Sequence, residues 1–89
     1  MIYIATFFSH FGAIRYKKLC EEKGFAARTM PVPRDLSSSC GTCVRCDGGY
    51  VEPEGICASE VDKIVRVGES GYEPIYPKEE GEVLNGSGN

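Results

Sequence analysis

The chain has 89 residues, enough for one domain with a modest core and too few for two. Its apolar content of 42% excludes a chain too polar to fold, and a formal charge of −3 with no basic run excludes the Lys/Arg footprint that a nucleic-acid partner needs. The opening run Met1-Ile2-Tyr3-Ile4-Ala5-Thr6-Phe7-Phe8 lacks a charged leader and a small-residue cleavage site and is too short to span a bilayer, so a cytoplasmic protein with no membrane partner is expected.

Residues 2–8 form a near-continuous apolar run with β-branched and aromatic members, which suits a central strand. Ser9 fits as an N-cap for a helix from about Phe11 to Lys23, and Gly24 fits as its C′ residue. Gly12, Ala13, Tyr16, Leu19 and Cys20 share one face of that helix, while Arg15, Lys18, Glu21 and Glu22 fall mostly on the other. Phe11 and Ile14 break the pattern.

Phe25 to Met30 reads as a second strand, and Pro31 and Pro33 end it. A cysteine-rich loop follows, and a third strand begins near Cys43 to Cys46. Asp47-Gly48-Gly49 is a turn. A second helix is expected from about Ala58 to Val67, on the spacing of Val61, Ile64 and Val65, with Gly68 or Gly71 closing it. Tyr72 to Tyr76 is a last short strand that tolerates Pro74 only at an edge or a bulge. The resulting α+β order β-α-β-β-α-β predicts a ferredoxin-like sandwich over residues 1–76, a four-stranded sheet with two helices on one face, and a flexible tail over 77–89. That topology brings the Ser9-His10 turn and the cysteine loop to one edge of the sheet. A sheet face left uncovered makes a homodimer plausible.

The segment from Pro31 to Cys46 holds three of the five cysteines. A thiol reacts as its thiolate, which positive charge, hydroxyl donors and a helix N-terminus stabilise. Cys40 has Arg34 and Arg45 on its segment, Ser37, Ser38 and Ser39 before it, and Gly41 after it to allow a tight turn. His10 can serve as base or cationic neighbour. Cys43 completes a C-x-x-C pair and is the natural resolving thiol, although it falls on a strand, so thioredoxin geometry does not carry over. Strand alternation puts Cys43 and Arg45 on one face and Val44 and Cys46 on the other, with Cys46 a small core residue. Cys20 belongs to the apolar helix face, and Cys57 reads as a surface or half-buried thiol. The competing reading is a metal: Cys40, Cys43, Cys46 and Cys57 as ligands of an iron–sulfur cluster or zinc. An extended 43–46 segment opposes it, because side chains at 43 and 46 then point apart.

Thr6-Phe7 before a helix, then Pro33-Arg34-Asp35-Leu36-Ser37-Ser38-Ser39-Cys40-Gly41, then an arginine in the following strand, resembles the selenium/sulfur carrier protein-like family over residues from about 2 to 76. The resemblance implies an association with selenium metabolism and with small sulfur-relay proteins. It implies that Cys40 bears the sulfur or selenium and that Cys43 matches a second cysteine found in some members. Cys46, where an apolar or aromatic residue is usual, and the glycine-rich 47–56 segment with Cys57 depart from the pattern.

The residues and the resemblance together predict a stoichiometric carrier more than an enzyme. A persulfide or selenopersulfide sits on Cys40, Cys43 resolves it, and no cofactor is needed. Its partners are a donor such as a cysteine desulfurase or a small sulfur-relay protein. A cysteine-ligated metal module and a thiol–disulfide sensor are the alternatives.

Overall fold

A computed structural model describes residues 1–38 and 40–77. Seven elements follow in order: β1 (Ile2–Phe7), α1 (His10–Glu22), β2 (Ala26–Pro31), β3 (Thr42–Asp47), α2 (Ile56–Glu60), β4 (Val61–Gly68) and β5 (Gly71–Tyr76). The strands form one sheet in the order β2-β3-β1-β4-β5, and every neighbouring pair is antiparallel. The α+β class holds, but the sheet has five strands where four were expected.

Helix α1 starts and stops where its local chemistry dictates. Ser9 is the N-cap, and its side chain accepts from the Gly12 amide at 3.4 Å. At the other end the Phe25 amide donates to the Cys20 carbonyl at 3.1 Å and the Gly24 amide to that of Glu21 at 3.0 Å. This is a Schellman motif, and Gly24 takes the φ of +94° that it requires. Phe25 then lies over the Asp47-Gly48-Gly49 turn so closely that a Cβ at Gly48 or Gly49 would stand 2.9 Å from its ring.

The expected second helix is the main correction. Only Ile56–Glu60 is helical, and Val61–Gly68 is a strand that joins β5 in a hairpin. The register between β1 and β4 shifts at Thr6/Phe7, an irregularity that sets Val61 and Ile64 in the same core cluster. A spacing of three therefore arises on a strand and imitates a helix. Val65 lies in a second cluster on the opposite side, so β4 is apolar on both faces and shows no clean alternation. Pro74 sits on the edge strand β5, opposite a second register shift at Ile64/Val65.

The sheet has two unlike faces. On one, α1 packs Ala13, Tyr16 and Cys20 against Tyr3, Ala5, Phe7, Val44, Cys46 and Ile64. Tyr16 donates its hydroxyl to the Val51 carbonyl at 2.6 Å, which pins the segment before α2 to the helix. Helix α2 runs beside α1, tied by Lys23–Glu54 at one end and Arg15–Glu60 at the other, both 3.1 Å. Gly12 permits the approach: a Cβ there would lie 2.9 Å from the Glu60 Cβ. The other face has a smaller cluster of Ile4, Cys43 and Val65, covered in part by Met30, Val32 and Leu36. Among the described residues, no helix is long and apolar enough to cross a membrane.

Candidate functional site

Residues 32–41 connect β2 to β3. The loop is closed at its base by the Val32 amide donating to the Gly41 carbonyl at 3.2 Å, and Gly41 has φ +76°, a left-handed conformation that glycine adopts without strain. Within it, Pro33-Arg34-Asp35-Leu36 folds into a tight turn, with the Leu36 amide donating to the Pro33 carbonyl at 3.0 Å. Arg34 stands exposed on that turn, while Leu36 folds back against the Cys43 cluster.

The loop meets the start of α1, as the topology required. Ser38 Oγ donates to the Phe7 carbonyl at 3.2 Å, and Thr42 Oγ1 lies 3.0 Å from His10 Nδ1. Cys40 is held between these two contacts. Its Sγ donates to the Thr42 carbonyl at 3.3 Å, and Ser38 Oγ is 4.0 Å away. One hydroxyl proton cannot serve two acceptors, and the shorter contact to Phe7 takes it. At 4.0 Å the Ser38 hydroxyl is only a marginal neighbour of the sulfur. Thr42 was not singled out from the sequence, yet it links His10 to the backbone carbonyl that the thiol uses. Its position two residues after Cys40, at the first residue of β3, was the available signal. Ser39 lies outside the described residues.

The five thiols divide sharply by environment. Cys40 is half-buried at the sheet edge, and Cys20, Cys43, Cys46 and Cys57 are all buried. Cys43 is 0% exposed, donates to the Pro31 carbonyl at 3.6 Å, and faces Thr6 and Met30 across the neighbouring strands. Burial, with the Cys40 sulfur close enough to add to it, pushes the Cys43 thiol up to about 11. Cys20, on the buried face of α1, and Cys46, on β3, meet between helix and sheet; burial, with Cys46 beside it, pushes Cys20 up to about 12, and burial also raises Cys46. Cys57 is in α2, and at 7% exposure it is a buried thiol and not the surface or half-buried one expected.

Arg45 lies toward the opposite end of β3 from Cys40, and its Nε is bonded to Asp47 Oδ1 at 3.0 Å. The metal quartet does not converge. Cys43 belongs to the cluster on one face and Cys46 to the cluster on the other, and no group of three or more metal-ligating side chains is gathered among the described residues.

Comparison with known proteins gives one finding. A family model described as "Putative Se/S carrier protein-like" matches residues 2–57, which takes in β1 through the start of α2 and leaves β4 and β5 outside the match. No curated protein and no solved structure matches the chain.

Proposed function

The chain belongs to the Se/S carrier protein-like family, and from that premise we propose that it carries sulfur or selenium stoichiometrically on Cys40. The observation that carries the reading is the division of the thiols: Cys40 is half-buried at the sheet edge and its four counterparts are buried. A nucleophile that must meet a partner protein needs that access.

In the loading step the Cys40 thiolate attacks the terminal sulfur of a donor persulfide. A sulfur–sulfur bond forms on Cys40, the donor's own sulfur–sulfur bond breaks, and the donor thiolate leaves. No net oxidation occurs, because the zero-valent sulfur is only relocated. In the release step the Cys43 thiolate attacks Cys40 Sγ. A Cys40–Cys43 disulfide forms and the terminal atom leaves as hydrosulfide or hydroselenide, taking a proton from water. The two thiols supply both electrons, and a cellular thiol reductant restores them. Cys43 stands three residues after Cys40, but its side chain lies in the cluster on the opposite sheet face from the one Cys40 packs against, so release needs the loop to shift and is the slower step. Arg34, on the same loop, adds positive charge for the loaded anion. His10, through Thr42, holds the loop against α1. A cytoplasmic protein that receives its load from a cysteine desulfurase or a small sulfur-relay protein fits this chemistry. In fold terms, β2-β3-β1-β4 reads as a ferredoxin-like platform with β5 added at the edge.

The test is intact mass after incubation with a cysteine desulfurase and cysteine. A gain of one sulfur on the native chain and none on Cys40→Ala is expected. No gain on the native chain, or an equal gain on the variant, would overturn the assignment. The Cys40–Cys43 pair also suits a thiol–disulfide sensor. A reduction potential at the cytosolic poise without sulfur transfer would select that reading.

A further inference from the structure

The strand register sets two arginines against each other away from the cysteine loop. Arg28 on β2 and Arg45 on β3 are directly opposite partners, so their side chains share one face of the sheet. Like charges in that position destabilise a strand pair. Arg45 is partly balanced by Asp47 Oδ1 at 3.0 Å, while Arg28 is exposed and has no ion-pair partner among the described residues. The two arginines and Asp47, with Ala26 and Ala27, line a groove of about 290 Å³, open to solvent and large enough for one small anion. The alanines keep its floor low between the two arginines.

We propose that this groove is a binding site for a small protonated oxyanion of the phosphate type, held by Arg28 and Arg45 and oriented by Asp47. A guanidinium offers a planar fork of donors that matches two oxygens of such an anion. Arg45 has spent its Nε on Asp47 and keeps its terminal nitrogens for the ligand. Asp47 keeps Oδ2, which accepts a proton from a ligand hydroxyl. Hydrogen phosphate supplies that hydroxyl. Sulfate has none, and it would set an acceptor against the carboxylate. The proposal does not depend on the carrier reading, because the groove lies toward the far end of β3 from Cys40.

The test is heteronuclear NMR on the full chain, titrated with inorganic phosphate and separately with sulfate at constant ionic strength, because exposed charges are screened by salt. The signals followed are the Arg28 and Arg45 side chains and the amides of 26–28 and 45–47. Saturable shifts with a dissociation constant of about 1–10 mM are expected for phosphate, and binding at least about tenfold weaker for sulfate. Arg28→Gln should weaken phosphate by about tenfold with a native, well-dispersed spectrum. Asp47→Asn should erase the preference for phosphate over sulfate. Shifts that stay linear to about 50 mM phosphate, or that persist unchanged in Arg28→Gln, would overturn the site. Equal binding of sulfate by the native chain would overturn the protonated-oxyanion assignment.

Discussion

Cys40 and Cys46 are the same residue type, six positions apart, and the fold gives them opposite lives. Cys46 sits on β3 beneath α1, is 1% exposed, and donates to the Gly49 carbonyl at 3.5 Å. Cys40 precedes the same strand at its open end, half-buried, within a loop closed by Val32 and Gly41. The sulfur chemistry available to each follows from which side of the sheet edge it occupies. One is a compact core residue; the other is half-buried at the sheet edge, within reach of a reagent.

The contrast can be broken most directly by exchanging the positions' roles. Cys40→Ala should lose sulfur loading completely, and Cys46→Ser should keep it, measured by intact mass. A small thiol reagent should label Cys40 in the folded chain about 10³-fold or more faster than Cys20 or Cys46, which react only when the structure opens, followed by peptide mapping against time. Release through Cys43 should depend steeply on pH. Its thiol is pushed up to about 11, so it is protonated at neutral pH and the thiolate fraction rises with alkalinity. The rate of hydrosulfide release should therefore rise about tenfold per pH unit, or about 100-fold from pH 7 to 9, in single-turnover assays of pre-loaded protein.

The same raised thiols sharpen the comparison through stability. Cys20 at about 12 and Cys43 at about 11 lie above the ordinary thiol value, so the unfolded chain ionises first. Their contribution is complete below about pH 8.5 and is lost as pH climbs through the folded values, so thermal unfolding should move to lower temperature from about pH 9 upward. The smallest effects are local. Cys46→Ala removes a buried sulfur from beneath α1 and its contact with the Gly49 carbonyl, at a cost of about 1–3 kcal/mol, seen in chemical denaturation. Gly12→Ala drives a methyl to 2.9 Å from the Glu60 Cβ and 3.2 Å from Phe7, and should cost about 1–3 kcal/mol less the ~1 kcal/mol that alanine regains over glycine in a helix.

How far the sequence could be read depended on how local the physics was. Ser9 and Gly24 mark the ends of α1 because caps are decided within a few residues. The alternation of Cys43 against Val44 and Cys46 followed from strand geometry alone, and the two clusters match it. The meeting of His10 with Thr42 was foreshadowed by element order, though not the atoms involved. Val61 to Gly68 was misread because the register shift beside Phe7 sets two apolar residues three apart on one side of a strand. The deep burial of Cys43 was not legible either. It depends on Leu36 folding back from a turn in another part of the loop, a contact that no periodicity announces.

The two outermost strands each carry a proline: Pro31 on β2 and Pro74 on β5. Proline has no amide hydrogen to offer an incoming strand, and edges broken in this way resist strand-by-strand polymerisation. Both rims of the platform are thus capped against lateral growth. Another chain that meets this one is thereby left its broad surfaces and its loops, the Cys40 loop among them.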